Sequence, residues 1–159
     1  MNVELRTLRA DIAADLKMAA GIYTVLDSYR ERLTEEEDLI VVGYYLHNLY
    51  CAFESIFQHI AGIFGNQVSD QAGWHADLLR RMTLDIEGLR PRLLSEAAYE
   101  SLDELRRFRH LFRSAYRMHL DADRLSLVYK KAQSLNQVYR VDMERFQAFL
   151  DDLLRQGEE

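Results

Sequence analysis

Apolar residues recur along this chain at steps of three and four, the spacing that places them on one face of a helix. Leu5, Leu8, Ile12, Leu16, Ala19, Tyr23, Leu26, Tyr29 and Leu33 trace a first helix over about residues 3–33. Thr34-Glu35-Glu36-Glu37 has the spacing of a capping box and predicts the start of a second helix. Its stripe is Leu39, Val42, Leu46, Leu49, Phe53, Ile56, Ile60 and Ile63, and Gly65-Asn66 ends it. A loop over 66–73 leads to a shorter helix, 74–87, with Leu78, Leu79, Met82 and Ile86 inward. Gly88 and Pro91 stop that helix. Ser95 caps a fourth helix, 96–118, carrying Ala98, Leu102, Leu105, Phe108 and Phe112. Asp121 caps a fifth, 122–155, with Leu125, Val128, Ala132, Leu135, Val138, Phe146, Phe149 and Leu153. The expected fold is all-α: an antiparallel bundle of four long helices plus one short helix, in a single domain over 1–159.

Composition narrows this further. One proline and seven glycines in 159 residues are too few for the frequent turns of a β or α/β fold. Tyr44, Tyr45 and Tyr50 fall around the second helix rather than on one stripe. That leaves more apolar surface than one small bundle hides and predicts a homodimer. The alternative is half-buried tyrosines with wet hydroxyls. The lone Cys51 has no intramolecular disulfide partner, which fits a reducing, cytoplasmic setting. No signal-peptide pattern opens the sequence, and the run from Leu39 to Leu46 is too short to span a bilayer, so no membrane partner is expected.

The net charge of −6 argues against a protein that coats nucleic acid with its whole surface. It conceals one exception. Residues 106–117, RRFRHLFRSAYR, hold five arginines, one histidine and no acid, a +5 segment in a background of −11. Arg109, Arg113 and Tyr116 share one helical face. Arginine suits phosphate through its planar fork of donors, and a tyrosine beside it can stack on a base. The alternative is a solvated basic face paired with Asp103 and Glu104.

Signatures of other chemistry are missing: no glycine-rich phosphate loop, no GxSxG, no HExxH, no CxxC. His47, Cys51 and Glu54 have a spacing that a metal site would share with ordinary packing, and no metal or other cofactor is expected. His59 and His75 stand without a readable partner, and Trp74 is expected to pack rather than bind.

The arginine segment resembles the HEPN superfamily, and within it the HepT-like proteins encoded beside a minimal nucleotidyltransferase. Their signature is Arg, four residues, His, one residue, Tyr. It matches here as Arg109, then 110–113, then Ser114, Ala115 and Tyr116. TEEEDLIVVGYYLHNLYCAFESIFQHIAGIFG, WHADLLRRM, and ELRRFRHLFRSAY followed by LDADRL extend the likeness from about Thr34 onward. The resemblance implies a dimeric toxin of a type VII-like toxin–antitoxin system, a metal-independent ribonuclease acting on RNA, tRNA in particular. It implies a nucleotidyltransferase antitoxin that transfers AMP onto Tyr116. Arg109, Ser114 and Tyr116 then occupy the catalytic positions, with Arg106, His110, Arg113 and Arg117 supporting phosphate.

At the histidine position of this signature stands Ser114. A serine hydroxyl cannot accept a proton near neutral pH, so cleavage through these residues is expected to be lost or very weak. Ser114 would fit an inactivating change that spares the cell. His110 and His119 are the alternative bases, and Arg113 with His119 meets a looser Arg-x5-His spacing. A non-catalytic module that binds nucleotides, RNA or a protein is the other reading, followed by a helical adaptor with an incidental basic face.

Overall fold

The computed structural model describes residues 2–65, 72–113 and 119–157. These contain five helices and no strand: α1 (Asn2–Asp27), α2 (Glu36–Ile63), α3 (Trp74–Arg81), α4 (Glu96–Arg113) and α5 (Ala122–Gln156). Each of α1, α2, α4 and α5 packs against at least two of the others, and α3 lies against α2 and α4. None of the described helices is long and apolar enough to cross a membrane. The expected stripes form the core: Leu8, Ile12, Leu26, Leu46, Leu49, Phe53, Ile56, Ile60, Leu102, Leu105, Leu135 and Phe146 are all at most 2% exposed.

Two reciprocal hydrogen bonds tie α1 to α5. The Tyr23 hydroxyl donates to the Ala132 carbonyl at 2.7 Å, and the Tyr129 hydroxyl donates to the Leu26 carbonyl at 2.8 Å. Arg9 pairs with Asp151 at 2.9 Å further along. Early residues of α1 thus meet late residues of α5, so the two helices run antiparallel.

Several boundaries depart from the sequence pattern. Helix α1 stops at Asp27, six residues before Leu33. The Ser28 hydroxyl takes the Val25 carbonyl at 2.6 Å, and the chain tightens into i→i+3 turns. Thr34 does not cap α2: Glu35 stands at the N-cap, with no side-chain cap bond. Glu36, Glu37 and Asp38 still fill the first turn, where the macrodipole favours acids. At the other end, Gly65 takes a φ of 69°, as a helix stop requires, but Ile63 is exposed rather than inward.

Helix α3 is half its expected length. The chain leaves it at Met82, whose carbonyl accepts from Leu93 N and Leu94 N. It reverses at Gly88 (φ 72°), and Ile86, half-buried, forms an antiparallel bridge with Arg90 instead of a fourth helical contact. The buried Arg90 guanidinium donates to the carbonyls of Arg81, Leu84 and Pro91. It thereby caps α3 in place of further helix.

The caps of α4 and α5 are as expected. Ser95 Oγ accepts from Ala98 N at 3.4 Å and itself donates to the buried Asp142 at 2.8 Å. Asp121 accepts from Asp123 N and Arg124 N. The last five residues of the predicted fourth helix, 114–118, lie outside the described residues. The tyrosines of α2 split three ways: Tyr44 is exposed, Tyr45 half-buried, Tyr50 fully buried.

Candidate functional site

The middle of α2, the start of α3 and the end of α4 bring five side chains together. Glu54, on α2, is buried. His75, in the first turn of α3, places Nδ1 2.6 Å from Glu54 Oε2. Arg109, on α4, places Nη1 3.4 Å from His75 Nε2 and Nη2 3.8 Å from Glu54 Oε1. Trp74 stacks on His75, with ring centroids 3.7 Å apart and planes at 29°. Tyr50 lies one turn before Glu54. Burial first, and the Glu54 charge second, push its hydroxyl well above the ordinary tyrosine range.

A cavity of about 550 Å³ opens between α3 and α4, lined by Gly73, Trp74, His75, Arg106, Arg109 and His110 among others. That is the size of a small-ligand pocket. The arginines of this stretch of α4 differ, and of them Arg106 and Arg109 line the cavity. Arg106 is bound to Asp103 at 2.9 Å, and Arg107 to the same carboxylate at 2.9 Å, so the paired-face alternative holds for these two. The Arg109 side chain is 16% exposed and poorly bonded. Among the described residues it makes one hydrogen bond, a long one, and its buried Nε has no partner. Arg90, equally dependent on protein partners, makes three bonds to carbonyls. An under-bonded guanidinium at a cavity wall is a place for an anion.

Of the residues singled out in the sequence, Arg106, Arg109 and His110 meet at this cavity. Arg113 is exposed at the end of α4. Ser114, Tyr116 and Arg117 lie outside the described residues. His119 is not close: it faces Glu36 at 3.3 Å, and Glu36 lies about 27 Å along α2 from Glu54 at 1.5 Å per residue. The weak metal pattern of α2 disperses. His47 Nδ1 sits 3.8 Å from Cys51 Sγ, while Glu54 turns to His75 and Arg109. Among the described residues no group of three or more His, Cys, Asp or Glu side chains is placed to hold a metal ion.

Of the five side chains brought together here, sequence reasoning placed only Arg109 in the site and missed Tyr50, Glu54, Trp74 and His75. His75 is not a lone histidine, and Trp74 lines the cavity as well as packing. Glu54 and His75 are 21 residues apart on different helices, a pairing no local spacing reveals. The one available signal was a glutamate on the apolar side of α2, a residue type almost never buried unless paired.

Among the described residues the fold is all-helical, with an arginine-lined cavity between α3 and the end of α4. A family model described as HepT-like protein matches residues 41–150, and the chain belongs to that family, within the HEPN superfamily. The match covers α3 and α4 whole and most of α2 and α5. The chain matches no curated protein and no solved structure.

Proposed function

We propose that this chain is a HepT-like toxin component that binds RNA through a phosphate held on Arg109, in a homodimer of single-domain chains in the cytoplasm. The observation that carries this reading is the under-bonded Arg109 guanidinium at the wall of the α3–α4 cavity. The reading takes tRNA as the RNA class and includes a nucleotidyltransferase antitoxin that modifies Tyr116 with AMP; membership of the HepT-like family is compatible with it. Arg106, His110, Arg113 and Arg117 add positive charge along the same segment. Phosphate contacts position RNA, and a fixed cation also stabilises the charge that develops during phosphoryl transfer. Exposed Ile40 and Tyr44, one turn apart on α2, support a second copy as partner.

Ser114 cannot take the place of the family's histidine as proton acceptor, so the signature residues alone give little or no cleavage. This favours a second reading, a non-catalytic HEPN module that binds RNA, nucleotides or protein. Two measurements separate the readings. Arg109→Ala should weaken tRNA binding tenfold or more and flatten its salt dependence. Unchanged binding overturns the proposal. Ser114→His should raise tRNA cleavage above that of the parent chain, and no cleavage from that variant leaves the binding module.

A further inference from the structure

We infer that His75, held by Glu54, is the proton acceptor of this site and does the work that Ser114 cannot. The inference rests on the RNA reading above and adds a catalytic residue outside the arginine segment.

The argument starts from the tautomer. A carboxylate only accepts, so the 2.6 Å contact puts the His75 proton on Nδ1. The lone pair is then on Nε2, where it accepts a long hydrogen bond from Arg109 Nη1 at 3.4 Å. A histidine fixed by a carboxylate on one nitrogen and presenting the other as base is a recurring arrangement for proton transfer. The burial of Glu54 fixes the direction of the ring, and Trp74 stacked on the imidazole fixes its plane. The His75 side chain remains 27% exposed and lines the cavity, so the base is reachable. Arg109 is a shared neighbour: it is the candidate phosphate ligand, and it lies beside Nε2.

The step balances without a further reagent. Nε2 takes the proton of a ribose 2′-hydroxyl, and the O2′ electron pair forms a bond to the adjacent phosphorus. The P–O5′ bond breaks with its pair on O5′, which takes a proton from water. The imidazolium returns its proton to the hydroxide so formed. The products are a 2′,3′-cyclic phosphate and a 5′-hydroxyl. In this scheme Glu54 is a positioning residue and His75 a catalytic one.

The test uses the full chain with tRNA, a single-stranded RNA oligomer, and the same oligomer with 2′-deoxyribose. The parent should cleave both RNAs to cyclic-phosphate ends and leave the deoxy oligomer intact. His75→Ala should lower the rate about a hundredfold or more while RNA binding changes less than threefold. His75→Asn, which can still bond Glu54, should lose cleavage equally, so that lost folding is not mistaken for lost chemistry. Glu54→Gln should shift the pH–rate profile while retaining binding. Adding Ser114→His to His75→Ala should restore cleavage. Equal rates for the parent and His75→Ala overturn the inference, as does a parent that is silent where Ser114→His alone cleaves; both outcomes leave the RNA reading standing. Failure of every variant, Ser114→His included, to bind or cut RNA overturns both.

Discussion

His75 Nδ1 and Glu54 Oε2 meet at 2.6 Å across the α2–α3 junction, and the same carboxylate faces Arg109 from its other oxygen. One buried acid therefore serves a histidine and a guanidinium. Glu54→Ala leaves Arg109 without its counter-charge and should cost about 3 kcal/mol. Glu54→Gln removes the same charge but keeps an acceptor for His75, so it should cost less, about 2 kcal/mol. Urea denaturation of the two variants measures the difference.

Arg90 is buried to serve carbonyls rather than carboxylates. Arg90→Ala strips the Arg81, Leu84 and Pro91 carbonyls of a charged donor and should destabilise by about 3 kcal/mol. Arg90→Met keeps the apolar stem and should recover only part of that loss. Thermal unfolding ranks the two against the parent.

Burial raises the hydroxyls of Tyr23, Tyr50 and Tyr129 above the ordinary value of 10.0. The folded state holds these protons more tightly than the unfolded chain does. The stability they contribute is thus complete below pH 10 and declines as the pH climbs past it. A spectrophotometric titration should show these three of the nine tyrosines ionising only as the protein unfolds.

A homodimer through α2 would cover Ile40 and Tyr44, which are 52% and 53% exposed in one chain. Ile40→Lys together with Tyr44→Lys should shift the mass in light scattering from dimer to monomer. The helical fold should survive, because neither side chain is in the core. An unchanged dimer places the interface elsewhere.

Helix existence, the core stripes and the caps at Ser95 and Asp121 were legible in the sequence because they depend on neighbours three or four residues away. The end of α1 was not, because Ser28 claims a carbonyl that the periodicity of Tyr29 and Leu33 would leave in the helix. Nor was the shortness of α3, set by Arg90 reaching back nine residues to Arg81. The site divided along the same line. Arg106, Arg109 and His110 lie within little more than one turn of one helix and stand out by charge. Glu54 and His75 become partners only when α2 and α3 pack, an event that leaves no local trace.

The clasp between Tyr23 and Ala132, and between Tyr129 and Leu26, joins positions more than a hundred residues apart. Closing so long a loop is entropically costly and waits until nearer partners, such as α1 with α2, have met. In folding, the α1–α5 seam is then expected to close late. Its two hydroxyls act mainly on how long the native state lasts, not on how quickly it is reached.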